Sequence, residues 1–118
     1  KLFIMKIVVL KFGGTSVGSI DKIRNISNII QDYKKKGNKV ILAGNGGSAA
    51  NAMHIANDLI YGAGTKSGKG FNIEALSSNS SVITCLANDT GYENIFSEQL
   101  RVKGKRGDIL IILSGSGN

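Results

Sequence analysis

The stretch KVILAGNGGSAANAMH, Lys39–His54, decides the fold of this chain. An apolar run, Val40–Ala43, is followed by the turn sequence Gly44-Asn45-Gly46-Gly47, and Ser48 then begins a segment with helical spacing. The pattern predicts a buried parallel strand, a glycine-rich turn and a helix with a serine N-cap. The backbone N–H groups of such a turn, together with the helix dipole, form a site for an anion such as phosphate. A tight strand–helix connection without a ligand is the alternative interpretation.

Strands and helices alternate along the rest of the chain. Besides the central strand, the apolar runs predict strands at Lys6–Phe12, Asn72–Leu76 and Ile109–Leu113. Helical spacing predicts helices over Ser19–Lys36, Ser48–Ile60, Ser80–Ala87 and Tyr92–Lys103. Gly62–Gly70 is predicted to be a mobile loop and Asn88–Gly91 a turn. The alternation predicts an α/β fold, a parallel sheet with helices on both faces.

Composition favours one small domain in a reducing compartment. The chain has 118 residues, 16 glycines, no proline and a single cysteine, Cys85, so an internal disulfide is excluded. Its apolar neighbours predict that Cys85 lies in the core, and we expect a cytoplasmic location. The apolar N-terminal run is interrupted by Lys6 and Lys11 and lacks a small-residue cleavage site, so it does not fit a secretion signal. No run reaches the ~18 apolar residues of a membrane span, and no membrane partner is expected.

The net charge of +7 is concentrated in the first third of the chain. Residues 1–38 carry +6 and residues 39–118 carry +1. A basic segment can indicate nucleic-acid binding. However, Lys34–Lys36 fall at the end of a predicted helix, where cations interact favourably with the dipole, and no aromatic residues are interleaved with them. We therefore expect a solvated helix end and no nucleic-acid partner.

The N-terminal segment carries a motif of its own, Lys11-Phe12-Gly13-Gly14-Thr15-Ser16. With the flanking residues 5–40 it resembles the start of aspartate kinases, in the amino acid kinase family. The resemblance implies a strand–helix segment over residues 1–38 in which the lysine and the glycines contact ATP phosphates. A chimeric chain and an ATP-binding fragment are the hypotheses that follow from it.

Residues 39–118 carry four further motifs, which lie at Gly44–Ser48, Ala52–His54, Ala87–Glu93 and Gly107–Asn118. In order and spacing they resemble sugar-phosphate isomerases with the SIS fold, phosphoheptose isomerases in particular. The resemblance implies a partial, C-terminally truncated SIS domain over residues 39–118. Its implied ligand is a phosphorylated sugar, its implied reaction is isomerisation of sedoheptulose 7-phosphate, and the full-length family suggests a homo-oligomer.

Three polar residues, Asn51, His54 and Asp58, share one face of the central helix by their spacing. Ala52, Ala56, Leu59 and Ile60 are predicted on the opposite side, toward the sheet. His54 and Asp58 can meet at one metal ion or one hydroxyl, although a solvated histidine is the alternative. The resemblance implies that His54 and Asp58 bind zinc and that Asp58 is catalytic, at a position where the family normally has a glutamate.

The resemblance also implies a set of substrate contacts, at Asn45, Gly46, Gly47, Ser48, Asn88, Asp89, Ser114, Gly115 and Ser116. Ordinary Asx-turn chemistry is the alternative for the asparagines, and a flexible chain end is the alternative for the serines. The family uses a downstream glutamine and a second histidine that residues 1–118 do not contain. We therefore expect weak zinc binding and poor isomerase activity, and a non-catalytic sugar-phosphate-binding module is a further alternative.

Overall fold

A computed structural model describes residues 8–12, 20–62 and 70–115, with side chains over residues 28–61 and 70–115. Its four strands are β1 (Val8–Phe12), β2 (Val40–Ala43), β3 (Ile73–Ala75) and β4 (Ile109–Leu113). They form one parallel sheet in the order β1-β4-β2-β3. The predicted α/β fold with a parallel sheet is confirmed.

Within the described ranges, four helices connect the strands: α1 (Ile20–Lys35), α2 (Gly47–Asn57), α3 (Ser80–Thr90) and α4 (Ser97–Lys103). A π-helical turn, Asp58–Gly62, continues α2, and a 3₁₀ turn, Tyr92–Asn94, follows α3. The predicted stop of α1 is confirmed, because Gly37 has φ 72° and donates to the carbonyl of Lys34 at 3.1 Å. A glycine at positive φ is a common helix ending.

The sheet is buried on both faces. On one face, Val40, Leu42, Ile109 and Ile111 pack with Ala52 and Ala56 of α2, and half-buried side chains of α1 join them. On the other face, Ile41, Ala43 and Leu110 pack with the half-buried Phe96 and Leu100. Helices therefore cover both faces, which explains why β2 and β4 are continuous apolar runs.

The strands that follow β2 in the sequence lie on opposite sides of it in the sheet. Val40 pairs with Ile73 of β3 on one side and with Ile109 of β4 on the other. The chain thus leaves β2 toward one edge and returns on the opposite side of it. In open parallel sheets, ligands bind at the carboxyl ends of the strands where the connections diverge in this way.

Two buried polar side chains hold the sheet to its connections. The Asp108 carboxylate accepts the backbone N–H of Lys39 at 2.9 Å and that of Lys105 at 2.8 Å. The start of β4 is thereby joined to the start of β2. Gln99, 4% exposed, donates from Nε2 to the carbonyls of Leu76 and Ile95, both at 3.0 Å, which holds α4 against the end of β3.

The structure corrects the predicted C-terminal end of α3. The turn expected at Asn88–Gly91 is wrong, since the helix continues to Thr90. The Thr90 hydroxyl donates to the carbonyl of Leu86 at 2.8 Å, a bond that helical backbone allows. Gly91, with φ 98° and ψ 146°, then ends the helix. Asn88 and Asp89 therefore lie in the last helical turn and not in a strand-end loop.

Three further expectations differ from the structure. The single helix predicted over Tyr92–Lys103 is interrupted, because Asn94 and Ile95 donate three residues back instead of four. Cys85 is exposed and not in the core, since α3 has no buried residue. Ile60 is 53% exposed, because the π-helical turn rotates its side chain away from the face of Ala56.

Two expectations remain, the mobile loop at Gly62–Gly70 and the absence of a membrane span. The Gly62–Gly70 loop lies, apart from its end residues, outside the described residues. Over the part of the chain that the structure describes, no helix is both long enough and apolar enough to cross a membrane.

Candidate functional site

The turn between β2 and α2 differs from its predicted form at the cap. The N-cap residue is Gly46, with φ 54° and ψ −123°, and no side chain caps the helix. The predicted N-cap at Ser48 is wrong, because the carbonyl of Asn45 already accepts the N–H groups of Ser48 at 2.9 Å and Ala49 at 3.3 Å. The helix thus starts earlier, through a backbone conformation at Gly46 that glycine adopts without strain.

This start leaves donors available for a ligand. The N–H groups of Gly46 and Gly47 precede the first hydrogen bonds of α2 and have no intrahelical acceptor. They lie at the positive end of the helix dipole. Both residues are exposed. An anion at this position would therefore gain hydrogen bonds and a favourable field, which supports the anion site predicted from the sequence.

Gly44 brings the end of β2 into contact with the first turn of α2. It is buried, and a Cβ atom placed on it would lie 2.8 Å from the carbonyl carbon and oxygen of Ser48. No larger residue fits without a shift of backbone. The position therefore requires glycine for a close approach and not for an unusual φ.

The end of β4 lies beside this turn. The register pairs Ala43 with Ile112, so Ser114 follows β4 at the same edge at which Asn45 follows β2. Ser114 is half-buried and Gly115 is exposed. Ser116, the third predicted contact of this segment, lies outside the described residues.

A cavity of about 310 Å³ lies at this edge, between the turn and α3. Gly44, Asn45 and Gly46 form one wall, and Ser77, Ser80 and Tyr92 contribute to the others. The Ser77 Oγ is buried without a hydrogen-bond partner among the described residues. The Tyr92 hydroxyl donates to Asn45 Oδ1 at 3.3 Å. The cavity thus places a helix start and a few polar groups beside a largely apolar lining, a combination typical of small-molecule sites.

Asn88 and Asp89 bond within α3. The amide of Asn88 donates to Asp89 Oδ1 at 2.7 Å, and the Cys85 thiol donates to Asp89 Oδ2 at 3.5 Å. Neither Asn88 nor Asp89 lines the cavity. The hydrogen bond to the Asp89 carboxylate and the charge of that group raise the pKa of the Cys85 thiol.

His54 and Asp58 lie together, as their spacing predicts. His54 Nε2 and Asp58 Oδ2 are 3.5 Å apart, and the side chains are 77% and 59% exposed. Asn51, on the same helix, is also exposed. His54 lies six residues beyond Ser48, about 9 Å along the helix axis. The pair is therefore separate from the cavity, which it does not line.

A zinc ion needs more than this pair. Catalytic zinc usually has three protein ligands. Among the residues described in this structure, no three His, Cys, Asp or Glu side chains come close enough to hold a metal ion. Within one chain, the described residues therefore do not form a complete zinc site.

Comparison with known families matches this architecture. The sequence profile of the SIS domain matches residues 15–118. The chain belongs to the SIS domain family. The match begins well before residue 39, where the sequence alone placed the change between two families. It includes α1, whose Ile29, Ile30 and Tyr33 pack against the core of this SIS domain. The division into segments 1–38 and 39–118 stays a prediction.

Curated relatives are phosphoheptose isomerases. The SIS domain is 43% identical over 96 residues to the phosphoheptose isomerase of Akkermansia muciniphila, an alignment that covers 81% of this chain and 50% of the relative. It is 45% identical over 101 residues to that of Sulfurimonas denitrificans, covering 84% and 50%. The chain thus spans about half the length of the curated relatives it matches.

Solved structures give the same result. A phosphoheptose isomerase from Francisella tularensis superposes with a TM-score of 0.76 at 25% identity, covering 85% of this chain and 52% of that one. Phosphoheptose isomerase GmhA from Neisseria gonorrhoeae gives 0.71 at 29% identity, covering 80% and 48%. The SIS-like fold predicted from the sequence is confirmed.

Sequence reasoning gave no role to Ser77, Tyr92 or Asn79. Tyr92 lies in a motif used for the resemblance, but its contact with Asn45 joins residues 47 positions apart. Periodicity cannot reveal such a contact. Asn79 was detectable, because an asparagine directly before a helical run is a common N-cap.

Proposed function

We propose that this SIS domain binds a phosphorylated sugar, with the phosphate at the Gly44–Ser48 turn. The observation that carries the proposal is the uncapped start of α2, where the Gly46 and Gly47 N–H groups have no intrahelical acceptor and Gly46 lines a cavity. Phosphate binds well at such helix starts. The similarity to phosphoheptose isomerases favours sedoheptulose 7-phosphate as the sugar.

The side chains at the cavity suit the rest of a sugar phosphate. The side-chain amide of Asn45, which lines the cavity, can exchange hydrogen bonds with sugar hydroxyl groups. Ser114 and Ser116, at the end of β4, are proposed as further phosphate donors, and Gly115 as a backbone contact. Asn88 and Asp89 are proposed as substrate contacts too, although they do not line the cavity and bond to each other.

We propose that residues 1–118 supply part of the catalytic groups of a sugar-phosphate isomerase. Moving a carbonyl between C1 and C2 of a sugar requires groups that remove a proton from one carbon and return it to the other. Asp58 is the proposed proton carrier. Its side chain is one methylene shorter than that of glutamate, so its carboxylate extends less far toward a substrate. Residues 1–118 contain one histidine, His54, so these residues by themselves supply no second histidine for the return step. Loss of one such group typically costs ~10²–10⁴ in rate.

Zinc binding and assembly are proposed together. We expect the isolated chain to bind zinc weakly, since His54 and Asp58 supply two ligands. The pair is exposed and distant from the turn, an arrangement that would suit contact with a second copy of the chain. We therefore propose that the protein forms a homo-oligomer. We also propose that it acts in the cytoplasm, without nucleic acid or a membrane as a partner.

Two alternatives make different predictions. An aspartate kinase-like fragment would bind ATP through Lys11–Ser16, and its support is the sequence of that motif. A non-catalytic sugar-phosphate-binding module would not need His54 and Asp58. Replacing His54 by alanine would leave ligand affinity unchanged in such a module and would lower residual turnover in an isomerase.

Thermal unfolding tests the proposal. Ligand at 100 times its Kd stabilises the folded state by ~2.7 kcal/mol, so sedoheptulose 7-phosphate should raise Tm by several degrees. Unphosphorylated sedoheptulose should raise Tm much less, because it lacks the anion. A rise with ATP–Mg²⁺ and none with the sugar phosphate would overturn the proposal.

A charge placed at the turn supplies the matched control. A Cβ at Gly47 meets nothing within 4 Å. Gly47→Asp should therefore preserve the fold, and its carboxylate should interact favourably with the α2 dipole. The same charge should repel the phosphate and abolish the Tm shift. Gly47→Asn, of the same shape, should retain most of it.

A further inference from the structure

Tyr92 and Asn45 form a contact that links the two sides of the cavity. The Tyr92 hydroxyl lies 3.3 Å from Asn45 Oδ1, and both residues line the cavity. Gly91, directly before Tyr92, has φ 98° and ψ 146°, a conformation that places Tyr92 beyond the end of α3. Such a conformation is essentially restricted to glycine. The backbone is therefore specialised at the point that sets the position of the tyrosine.

This contact favours one orientation of the Asn45 side chain. An asparagine amide has one acceptor oxygen and one donor nitrogen. Because the tyrosine hydroxyl donates to Oδ1, the orientation in which Nδ2 is available to a ligand is favoured. Asn45 is exposed, so without this contact either end of its amide could face the cavity.

We propose that Tyr92 is a positioning residue that presents the Asn45 Nδ2 as a donor to an oxygen of the bound sugar. The inference rests on the proposed function and deepens it, since it identifies what Asn45 recognises. Asn45 and Gly46 both line the cavity. We assign the phosphate to the backbone N–H groups of Gly46 and Gly47, and the sugar to the side-chain amide of Asn45. The group recognised by Asn45 is therefore a hydroxyl or carbonyl oxygen and not the phosphate.

A purely structural role for Tyr92 makes a different prediction. Its side chain is 59% exposed, so its ring contributes little to the core. Tyr92→Phe keeps the ring and removes the hydroxyl, and it should leave Tm of the free protein nearly unchanged. Any effect on ligand affinity then reports on the hydrogen bond to Asn45 and not on folding.

A double-mutant cycle measured by calorimetry tests the proposal with two probes, sedoheptulose 7-phosphate and inorganic phosphate. We expect Tyr92→Phe to weaken binding of the sugar phosphate about 3- to 10-fold, the size of one neutral hydrogen bond. In the Asn45→Ala background the same change should have no further effect. Affinity for inorganic phosphate should be the same in all variants. Tyr61→Phe, which removes a hydroxyl from a 73% exposed tyrosine that does not line the cavity, is the control and should bind like the wild type.

The outcomes separate this inference from the proposed function. A wild-type protein that binds no sugar phosphate contradicts the proposed function, and the inference fails with it. Wild-type binding that Tyr92→Phe leaves unchanged overturns the inference alone. The inference is also overturned if Tyr92→Phe lowers sugar-phosphate affinity equally in the wild-type and Asn45→Ala backgrounds. Tyr92 would then act directly on the ligand or through another residue.

Discussion

Helices α2 and α3 follow neighbouring strands at the same edge of the sheet, but their first turns differ. In α3, the side chain of Asn79 accepts the N–H of Val82 at 3.1 Å. In α2, the N-cap is Gly46, and no side chain provides such a bond. One helix thus satisfies a donor of its first turn from its own sequence, and the other leaves its first donors available.

The difference shows how a ligand site is distinguished from an ordinary helix start. A glycine N-cap is less stabilising than a capping side chain by only about a few tenths of a kcal/mol, so α2 leaves its first donors available at little cost. The α2 start also depends on two glycines with different structural requirements. At Gly44 the requirement is space, and at Gly46 it is backbone conformation. The following predictions test these requirements, beginning with the largest effect.

Gly44→Ala should destabilise the protein most. Its Cβ would lie 2.8 Å from backbone atoms of Ser48, which cannot rotate away as a flexible side chain could. We expect the free energy of unfolding, measured by urea denaturation, to fall by about 3 kcal/mol. Gly47→Ala is the matched control in the same turn, where a Cβ meets open space, and it should be neutral or slightly stabilising. Equal losses in both variants would contradict the argument from close approach.

Gly46→Ala should destabilise less, by about 2 kcal/mol, because φ 54° with ψ −123° is strained for an L-residue. A Cβ there meets nothing within 4 Å, so backbone strain is the whole cost. D-alanine at the same position, introduced by chemical ligation, has the opposite φ preference and should restore stability. A D-alanine protein as unstable as the L-alanine variant would show that strain is not the cause.

Asn79→Ala should cost about 1 kcal/mol of unfolding free energy, the usual value of an N-cap side chain. Asn79→Asp keeps the acceptor for the N–H of Val82 and should retain most of the stability. Neither variant should change affinity for a sugar phosphate by more than the loss of folded protein explains. Direct loss of binding in Asn79→Ala would place a ligand at the start of α3 as well.

The smallest effect concerns the other end of α3. The Asp89 carboxylate raises the pKa of Cys85, so at pH 8 it lowers the fraction of reactive thiolate. Asp89→Asn should speed alkylation by iodoacetamide a few-fold at pH 8, and the two rates should converge at a pH well above both pKa values. Asn88→Ala, which keeps the carboxylate, is the control. An unchanged rate in Asp89→Asn would mean that the carboxylate does not face the thiol in solution.

The sequence was sufficient for those features that depend on local pattern. The apolar runs at Val40–Ala43 and Ile109–Leu113 predicted buried parallel strands, because a strand covered on both faces has no polar side. The i and i+4 spacing of His54 and Asp58 predicted their contact, since helix geometry fixes it.

The errors arose where tertiary structure decides between local alternatives. Ser48 has the residue type of an N-cap, but the backbone of Gly46 allows the helix to begin earlier. Asn88–Gly91 has the composition of a turn, yet the Thr90 hydroxyl donates a hydrogen bond to the carbonyl of Leu86, which is compatible with a continued helix. Cys85 has apolar neighbours, but α3 buries no residue. The cavity itself joins distant segments and has no local signature.

The position of β4 in the sheet constrains the order in which the chain can fold. β4 lies between β1 and β2, and Val8 pairs with Ile109, about 100 residues later. Neither β1 nor β2 can complete its ladder until β4 has been synthesised. Long loop closures carry an entropic cost before any contact forms, and chains dominated by distant pairings fold slowly. During synthesis, β1 must therefore remain an unpaired apolar strand and β2 can pair only with β3, so one edge of β2 stays open until β4 emerges. Unpaired apolar strand edges are the state in which a nascent chain is most exposed to aggregation or to capture by chaperones.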